Sequence, residues 1–331
     1  MPKRIVDLRS QQPLLDIASY GRRGPGHRSS PTPAEVAHAA RTAGRVPEVM
    51  IKVSGGARTI RGVATHLAYL EKRADLETDD GEVLTEKGLG RELLKDWDLE
   101  IDEQRRHTQR GIAAGRRTPK LVHNLVFSMP KGTPADKLHR AVKKFALEKF
   151  GAQHRYAMAL HTDQGNPHVH VVVKAIGERG ERLNIYKATL REWRRDFARY
   201  LREYGVEANA TERAVRGSQH HNRQGRIHWA AARGDSTFMS ERAETVRREL
   251  RSGGLLPETG QTRLRQTRED VERGWLAFAE LMQRDGRHDD AAQIRRFVDL
   301  MPAVRTEKES IAAELMKHHR GELARELPRA R

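Results

Sequence analysis

The stretch PHVHVVVKAIG, residues 167–177, constrains the fold more than any other part of the chain. Side chains alternate across a strand, so His168 and His170 share a face with Val172 and Lys174, while Val169, Val171 and Val173 point the other way. Three β-branched residues on one side make that side a core face. The preceding stretch HRYAMALHTD, residues 154–163, sorts in the same manner, with Tyr156, Met158 and Leu160 on one face and Ala157, Ala159 and His161 on the other. The intervening QGN suits a hairpin connection. If the hairpin pairs His161 opposite His168, all three histidines meet on one face and the two alanines leave room beside them. A slip of one residue would send His161 to the wrong side.

The segments around this hairpin alternate between strand and helix patterns. VPEVMIKVSGG (46–56) and KLVHNLVFSMPKGT (120–133) read as strands, the second ending at Pro130, and a short strand is expected near RLNIY (182–186). TIRGVATHLAYLEKR (59–73) has Ile60, Val63, Ala64, Leu67 and Leu70 at helical spacing behind Thr59 as N-cap. GLGRELLKDWDLEIDEQRR (88–106) is a second helix, broken by the basic loop GIAAGRRTP, and PADKLHRAVKKFALEKFG (134–151) a third, closed at Gly151. In TLREWRRDFARYLREYG (189–205), Leu190, Trp193, Phe197, Leu201 and Tyr204 form an apolar stripe. The predicted class is α+β: an antiparallel sheet with flanking helices. Residues 1–45, rich in Gly, Pro, Ser and Arg, are expected to form a flexible basic arm with a short helix near 33–43. Residues 46–217 form the central domain, and 218–331 a charged helical extension.

Charge and residue inventory narrow the function. Lys and Arg number 62 against 45 Asp and Glu, a formal charge of +17, which favours a polyanionic partner. The absence of cysteine excludes disulfides, thiolate metal sites and cysteine nucleophiles. No apolar run is long enough for a membrane span and the N-terminus lacks a signal-peptide core, so a cytoplasmic protein without membrane insertion is expected.

Three neutral imidazoles converging on one point make a metal site with open coordination positions, and His161, His168 and His170 are the predicted ligands. Asp163 is placed to hydrogen-bond a ligand's second ring nitrogen. His123, His139 and His154 are read as ordinary polar residues. A metal with open positions on a basic protein suggests phosphate chemistry, with either water or a tyrosine as nucleophile. Of the six tyrosines, Tyr156, Tyr200 and Tyr204 fall on apolar faces, Tyr20 lies in the arm and Tyr186 at a strand end. Tyr69 lies opposite the apolar stripe of its helix, with Thr65, His66 and Arg73 at i−4, i−3 and i+4, and is the best nucleophile candidate.

A tyrosine helix HLAYLEKRADLE, a strand HNLVFSMPKGT and the signature HTDQGNPHVHVVV, followed by LNIYKATLREW and TERAVRG, resemble in residues and order the conjugative relaxases, mobilisation nucleases of the HUH superfamily. The VirD-type, MOB-P-like group is the most similar. The likeness covers roughly residues 48–217. It implies the HUH endonuclease fold, a divalent metal (Mg²⁺ or Mn²⁺) on His161, His168 and His170, Asp163 as the motif aspartate and Tyr69 as nucleophile. The implied activity is site- and strand-specific nicking of single-stranded DNA at a transfer origin through a 5′-phosphotyrosyl intermediate. Implied partners are a relaxosome accessory protein and a type IV secretion coupling protein, with passage to a recipient cell. Lys174 stands where many relatives have Asn, and with Arg73 it is an expected DNA-phosphate contact. A water-using metal phosphoesterase would need the histidines but not Tyr69; a non-catalytic DNA-binding regulator would need neither.

Overall fold

The computed structural model describes residues 15–22, 24, 26–86, 88–102, 118–163, 165–219, 230 and 233–326. Residues 1–14 of the expected arm and most of the GIAAGRRTP loop lie outside them. In chain order the elements are α1 (Ile17–Tyr20), α2 (Pro33–Ala43), β1 (Met50–Gly55), α3 (Ile60–Glu71), β2 (Leu76–Thr78), β3 (Val83–Leu84), α4 (Glu92–Asp96), β4 (Val122–Ser128), α5 (Ala135–Lys149), β5 (Tyr156–His161), β6 (His168–Lys174) and α6 (Lys187–Glu203). They continue with α7 (Thr237–Arg251), α8 (Gln261–Arg284), α9 (His288–Asp299) and α10 (Glu307–Glu326). No helix among the described residues is long and apolar enough to cross a membrane.

The chain divides into two compact units, one built from residues 45–210 and the other from 15–44 with 211–331. The first is α+β, with a six-stranded antiparallel sheet in the order β1-β4-β6-β5-β2-β3. The histidine hairpin β5–β6 is central, and its register places His161 opposite His168 and Ala159 opposite His170. That is the pairing the shared histidine face requires.

Both faces of the sheet are covered by helices. Val169, Val171 and Val173 join Leu125, Phe127, Tyr156 and Met158 beneath α5 and α6, where Phe145, Trp193 and Phe197 complete a fully buried core. Against the other face α3 lays Val63, Leu67 and Leu70 over Ala157, Ala159, Val172 and Val122. Thr59 caps α3 by accepting from the Gly62 amide at 3.1 Å. The alanines of β5 let this helix approach the sheet closely, bringing its polar flank beside the histidines.

Three local expectations change. RLNIY forms no strand: Ile176 and Arg182 make one isolated bridge. The helix expected over 88–106 is broken within its described part, since α4 stops at Asp96 and Asp98 takes φ 50°. Strands β2 and β3, three and two residues long, extend the sheet beyond β5 and are too short to show an alternation in sequence.

The second unit also changes the reading of the N-terminal region. Leu15, Ile17, Tyr20, Val36 and Ala39 are buried with Val271, Trp275, Phe278, Ile294 and Phe297. Residues 15–44 are therefore part of a helical core and not a free arm. Thr32 and Glu35 form a reciprocal capping box, with Pro33 in the first turn of α2. The Gly, Pro and Arg residues between α1 and α2 dominated the composition of a segment whose few apolar residues are all used. Tyr20 is buried edge-on against Phe278, with ring centroids 4.9 Å apart.

Candidate active site

The three histidines of the hairpin form a triangle at the open end of the α3-covered face. Their ring centroids lie 5.3 Å (161–168), 4.7 Å (161–170) and 5.1 Å (168–170) apart. One ring nitrogen from each lies within 4.8 Å of the others, the spacing of a set that could hold a metal ion. Nδ1 of His170 is buried without a hydrogen-bond partner among the described residues, and the ring nitrogens of His161 are buried with only a weak approach to the Leu70 carbonyl. Buried polar atoms are rarely left so, and a cation would use these lone pairs. His168 donates from Nδ1 to the Asn166 carbonyl at 3.0 Å, which leaves Nε2 as the lone-pair nitrogen.

Electrostatics favour the neutral, ligating form. Burial, reinforced by the His161 and His168 imidazoles, pushes His170 down to about 4. Burial and then His168 lower His161 as well. Neutral imidazole is the form that binds metals.

Tyr69 stands at the edge of this cluster on the last turn of α3. It is exposed, unlike Leu67 and Leu70 beside it, which are buried against the sheet. The His66 ring lies nearly parallel to Tyr69 at 6.3 Å and 6.4 Å from His170, so one imidazole separates the phenol from the triad. His66 is lowered by burial, and its Nε2 is buried without a hydrogen-bond partner. On the other side the Arg73 guanidinium sits over the Tyr69 ring at 4.9 Å and donates to Asp163 Oδ2 at 3.3 Å. Arg73 thus ties the loop after β5 to the tyrosine.

Two expected contacts are replaced. Asp163 does not meet a ring nitrogen of the triad; its carboxylate is taken by Arg73. Lys174 is on the histidine face, as alternation requires, but is buried, with Nζ 3.7 Å from the equally buried Asp102. It is not presented to a DNA phosphate. Sequence reasoning named His66 only as a neighbour of Tyr69 and passed over Lys52. Lys52 is exposed and in register with Val126, itself opposite His170, so a cation lies two strands from the triad on the same face. The register could not be read from β1 alone. Of the remaining histidines, His123 bonds the Leu183 carbonyl at 3.2 Å, His154 the Lys174 carbonyl at 3.0 Å, and His139 lies 3.0 Å from Glu77. All three serve the fold.

A central antiparallel hairpin carrying three convergent imidazoles, with a helix-borne tyrosine beside them, makes this an α+β domain with a candidate metal centre on its sheet. Residues 69–206 match the family model described as Relaxase: MobA/VirD2-like, nuclease domain, a span that begins at Tyr69 and contains all three histidines. The T-DNA border endonuclease VirD2 of Rhizobium radiobacter is 27% identical over 194 residues, covering 51% of this chain and 43% of its own. The protein of the same name from Agrobacterium fabrum is 26% identical over 194 residues, 51% of this chain and 41% of its own. The match thus spans less than half the length of these relatives. Residues 69–206 are thus similar to the nuclease domain of MobA/VirD2-like relaxases.

Proposed function

We propose that the protein is a DNA relaxase that nicks one strand at a transfer origin by transesterification, with Tyr69 as nucleophile and His161, His168 and His170 as ligands of a divalent metal, Mg²⁺ or Mn²⁺. The observation that carries this reading is the placement of Tyr69 one imidazole away from three convergent histidines whose ring nitrogens are spaced to hold a metal ion. The relatives' printed name, T-DNA border endonuclease, supports DNA as substrate. A bound ion would polarise a non-bridging oxygen of the scissile phosphate.

The chain's own residues supply the rest. The Tyr69 hydroxyl loses its proton to water or to the nearby Asp163 carboxylate, and its oxygen attacks phosphorus. The bond from phosphorus to the 3′ oxygen breaks, that oxygen takes a proton from solvent, and the DNA beyond the nick is left on Tyr69 through its 5′ phosphate. One phosphodiester is exchanged for another, so the strand can be rejoined without ATP. Arg73, stacked on the ring and held by Asp163, fixes the phenol and places a cation beside its developing charge. The reading extends to a cytoplasmic enzyme acting on plasmid or integrative-element DNA, with an accessory protein and a secretion coupling protein as partners.

The test uses 5′- and 3′-labelled single-stranded oligonucleotides tiling the transfer region of the parent element, incubated with protein and Mg²⁺ or Mn²⁺ and run on a denaturing gel. A denaturation-resistant adduct on the 3′ portion, lost in Tyr69→Phe and in EDTA, is expected. Cleavage that persists in Tyr69→Phe without an adduct would instead identify a water-using phosphoesterase.

A further inference from the structure

On the flank of α3 that carries Tyr69 lies an open groove of about 510 Å³, with Arg61, Thr65, Tyr69, Lys72 and Arg91 around two alanines. Ala64 and Ala68 keep its floor low. The side-chain cations of Arg61, Lys72 and Arg91 have no carboxylate partner among the described residues, although Asp and Glu pair with many other cations of this unit. Glu71, next to Lys72 in the chain, turns its carboxylate to backbone: it accepts from the Gly88 amide at 3.3 Å and from the Gly90 amide. These bonds clamp the turn before α4 onto α3 and set Arg91 on the rim. An added Cβ at Gly90 would lie 2.6 Å from Glu71 Oε1, so a larger residue there would push the carboxylate out of this clamp. The turn is therefore held by the Glu71 carboxylate and presents Arg91 to the groove.

Three cations without a carboxylate partner among the described residues, set around a tyrosine, suit a chain of phosphodiesters. The volume lies in the range of pockets that hold ligands of nucleotide size. In-line displacement decides which part of the strand this is. The attacking Tyr69 oxygen and the departing 3′ oxygen must lie on opposite sides of phosphorus. The DNA that ends in the new 3′-hydroxyl therefore leaves on the side away from Tyr69, whereas the DNA joined through its 5′ phosphate stays attached to the tyrosine and must lie along its surroundings. From this, resting on the nicking reading above, we infer that the Arg61–Lys72–Arg91 groove is the seat of the covalently retained strand, holding the first phosphates 3′ of the nick.

The experiment has two arms. In the first, Arg61→Gln/Lys72→Gln/Arg91→Gln is placed in a Tyr69→Phe background and compared with Tyr69→Phe alone for binding of a fluorescent 5′-phosphorylated oligothymidylate over a salt series. Each lost phosphate contact on a single strand removes about 0.7 from the slope of log K against log salt, so the slope should fall by about 2. An unchanged slope, with unchanged melting temperature, would overturn the groove assignment. In the second arm, adducts formed by proteins with Tyr69 intact are digested with a 3′→5′ exonuclease. The unmodified groove should protect several nucleotides next to the phosphotyrosine, and the triple variant should lose that footprint. An adduct with identical footprints in both would overturn the inference while leaving the nicking reading standing. Failure of the protein with all four residues intact to form any adduct would overturn the nicking reading and, with it, the assignment of a retained strand.

Discussion

The two faces of the sheet are drawn from the same strands and do opposite things. Along β6, Val169, Val171 and Val173 enter a core without a polar atom between them, whereas His168, His170 and Lys174, one residue out of step, carry all of that strand's ionisable groups. The valine face is closed by aromatic contacts: Phe127 lies 4.9 Å from Phe145 and 5.2 Å from Phe197. The histidine face is closed only part of the way along. Its alanine and leucine portion is sealed by α3, and beyond that seal lie buried nitrogens without partners. One face gains stability from burial; the other carries unpaired polar atoms that a stable protein would not retain without a use for them. Mutations on the two faces should therefore separate folding from chemistry.

The largest stability effect is expected from Phe127→Ala, which opens a cavity at the junction of three rings. Such truncations cost about 3–5 kcal/mol. In a unit of this size that corresponds to a fall of about 10 °C in melting temperature, readable by calorimetry. Next comes Lys174→Met, the residue that looked from sequence like a phosphate ligand. Breaking this buried pair removes the cation 3.7 Å from Asp102 and costs about 3 kcal/mol. Because Lys174 is buried, the salt slope of DNA binding by the folded variant should stay the same. A fall of about 0.7 in that slope would return Lys174 to the DNA interface.

On the histidine face the sign of the comparison should reverse. His170→Ala removes a ring with an unpartnered nitrogen, so in EDTA its unfolding free energy should stay within about 1 kcal/mol of wild type. With Mn²⁺ at a hundred times its dissociation constant the wild type should gain about 2.7 kcal/mol and the variant nothing. Equal responses to Mn²⁺ would mean that the triad is not the metal site. Acid should expose the same group. His170 and His123 both titrate at about 4 in the fold, held down chiefly by burial, against an ordinary 6.5. Between those values the unfolded chain binds protons that the folded one refuses, so stability falls as the pH is lowered from 6.5 towards 4. Denaturant titrations at pH 7, 5.5 and 4.5 should show that decline, flattened in His170→Ala and separately in His123→Asn. An unaltered profile in either variant would show that the residue is not held neutral.

The sheet and the triad were legible because period-2 alternation is strong in β5 and β6 and because both carry histidine in the same phase. The register that unites His161 with His168 was a condition in the sequence and is a fact of the pairing. What could not be read depends on contacts between segments distant in the chain. The match of Leu15, Ile17 and Tyr20 to α8 is such a contact, invisible in a Gly- and Arg-rich stretch. So is the approach of Lys174 to Asp102, since a face assignment says which way a residue points but not whether another element covers it. Asp163 was expected to serve a histidine two residues away, and is instead taken by Arg73, 90 residues earlier in the chain. Local spacing singled out Asp163 and Arg73 here but not the ion pair between them.

That ion pair leads to the smallest predicted effect and the one that most sharpens the contrast between positioning and binding. If Arg73 acts by stacking on Tyr69, Arg73→Gln should slow single-turnover adduct formation about fivefold, the equivalent of about 1 kcal/mol for an exposed cation–π contact, while oligonucleotide affinity and its salt slope stay unchanged. Arg73→Lys should recover part of the rate, because it restores the charge without the planar fork that meets Asp163. Asp163→Asn should fall between the two, since it frees the guanidinium but leaves it beside the ring. If Arg73 were instead a phosphate ligand, affinity would drop in step with the rate, the salt slope would lose about 0.7, and Asp163→Asn would tighten DNA binding by releasing a cation. The two roles thus predict different affinities for the same aspartate substitution, unchanged if Arg73 positions the ring and tighter if it binds phosphate, and a binding isotherm of Asp163→Asn decides between them without any measurement of cleavage.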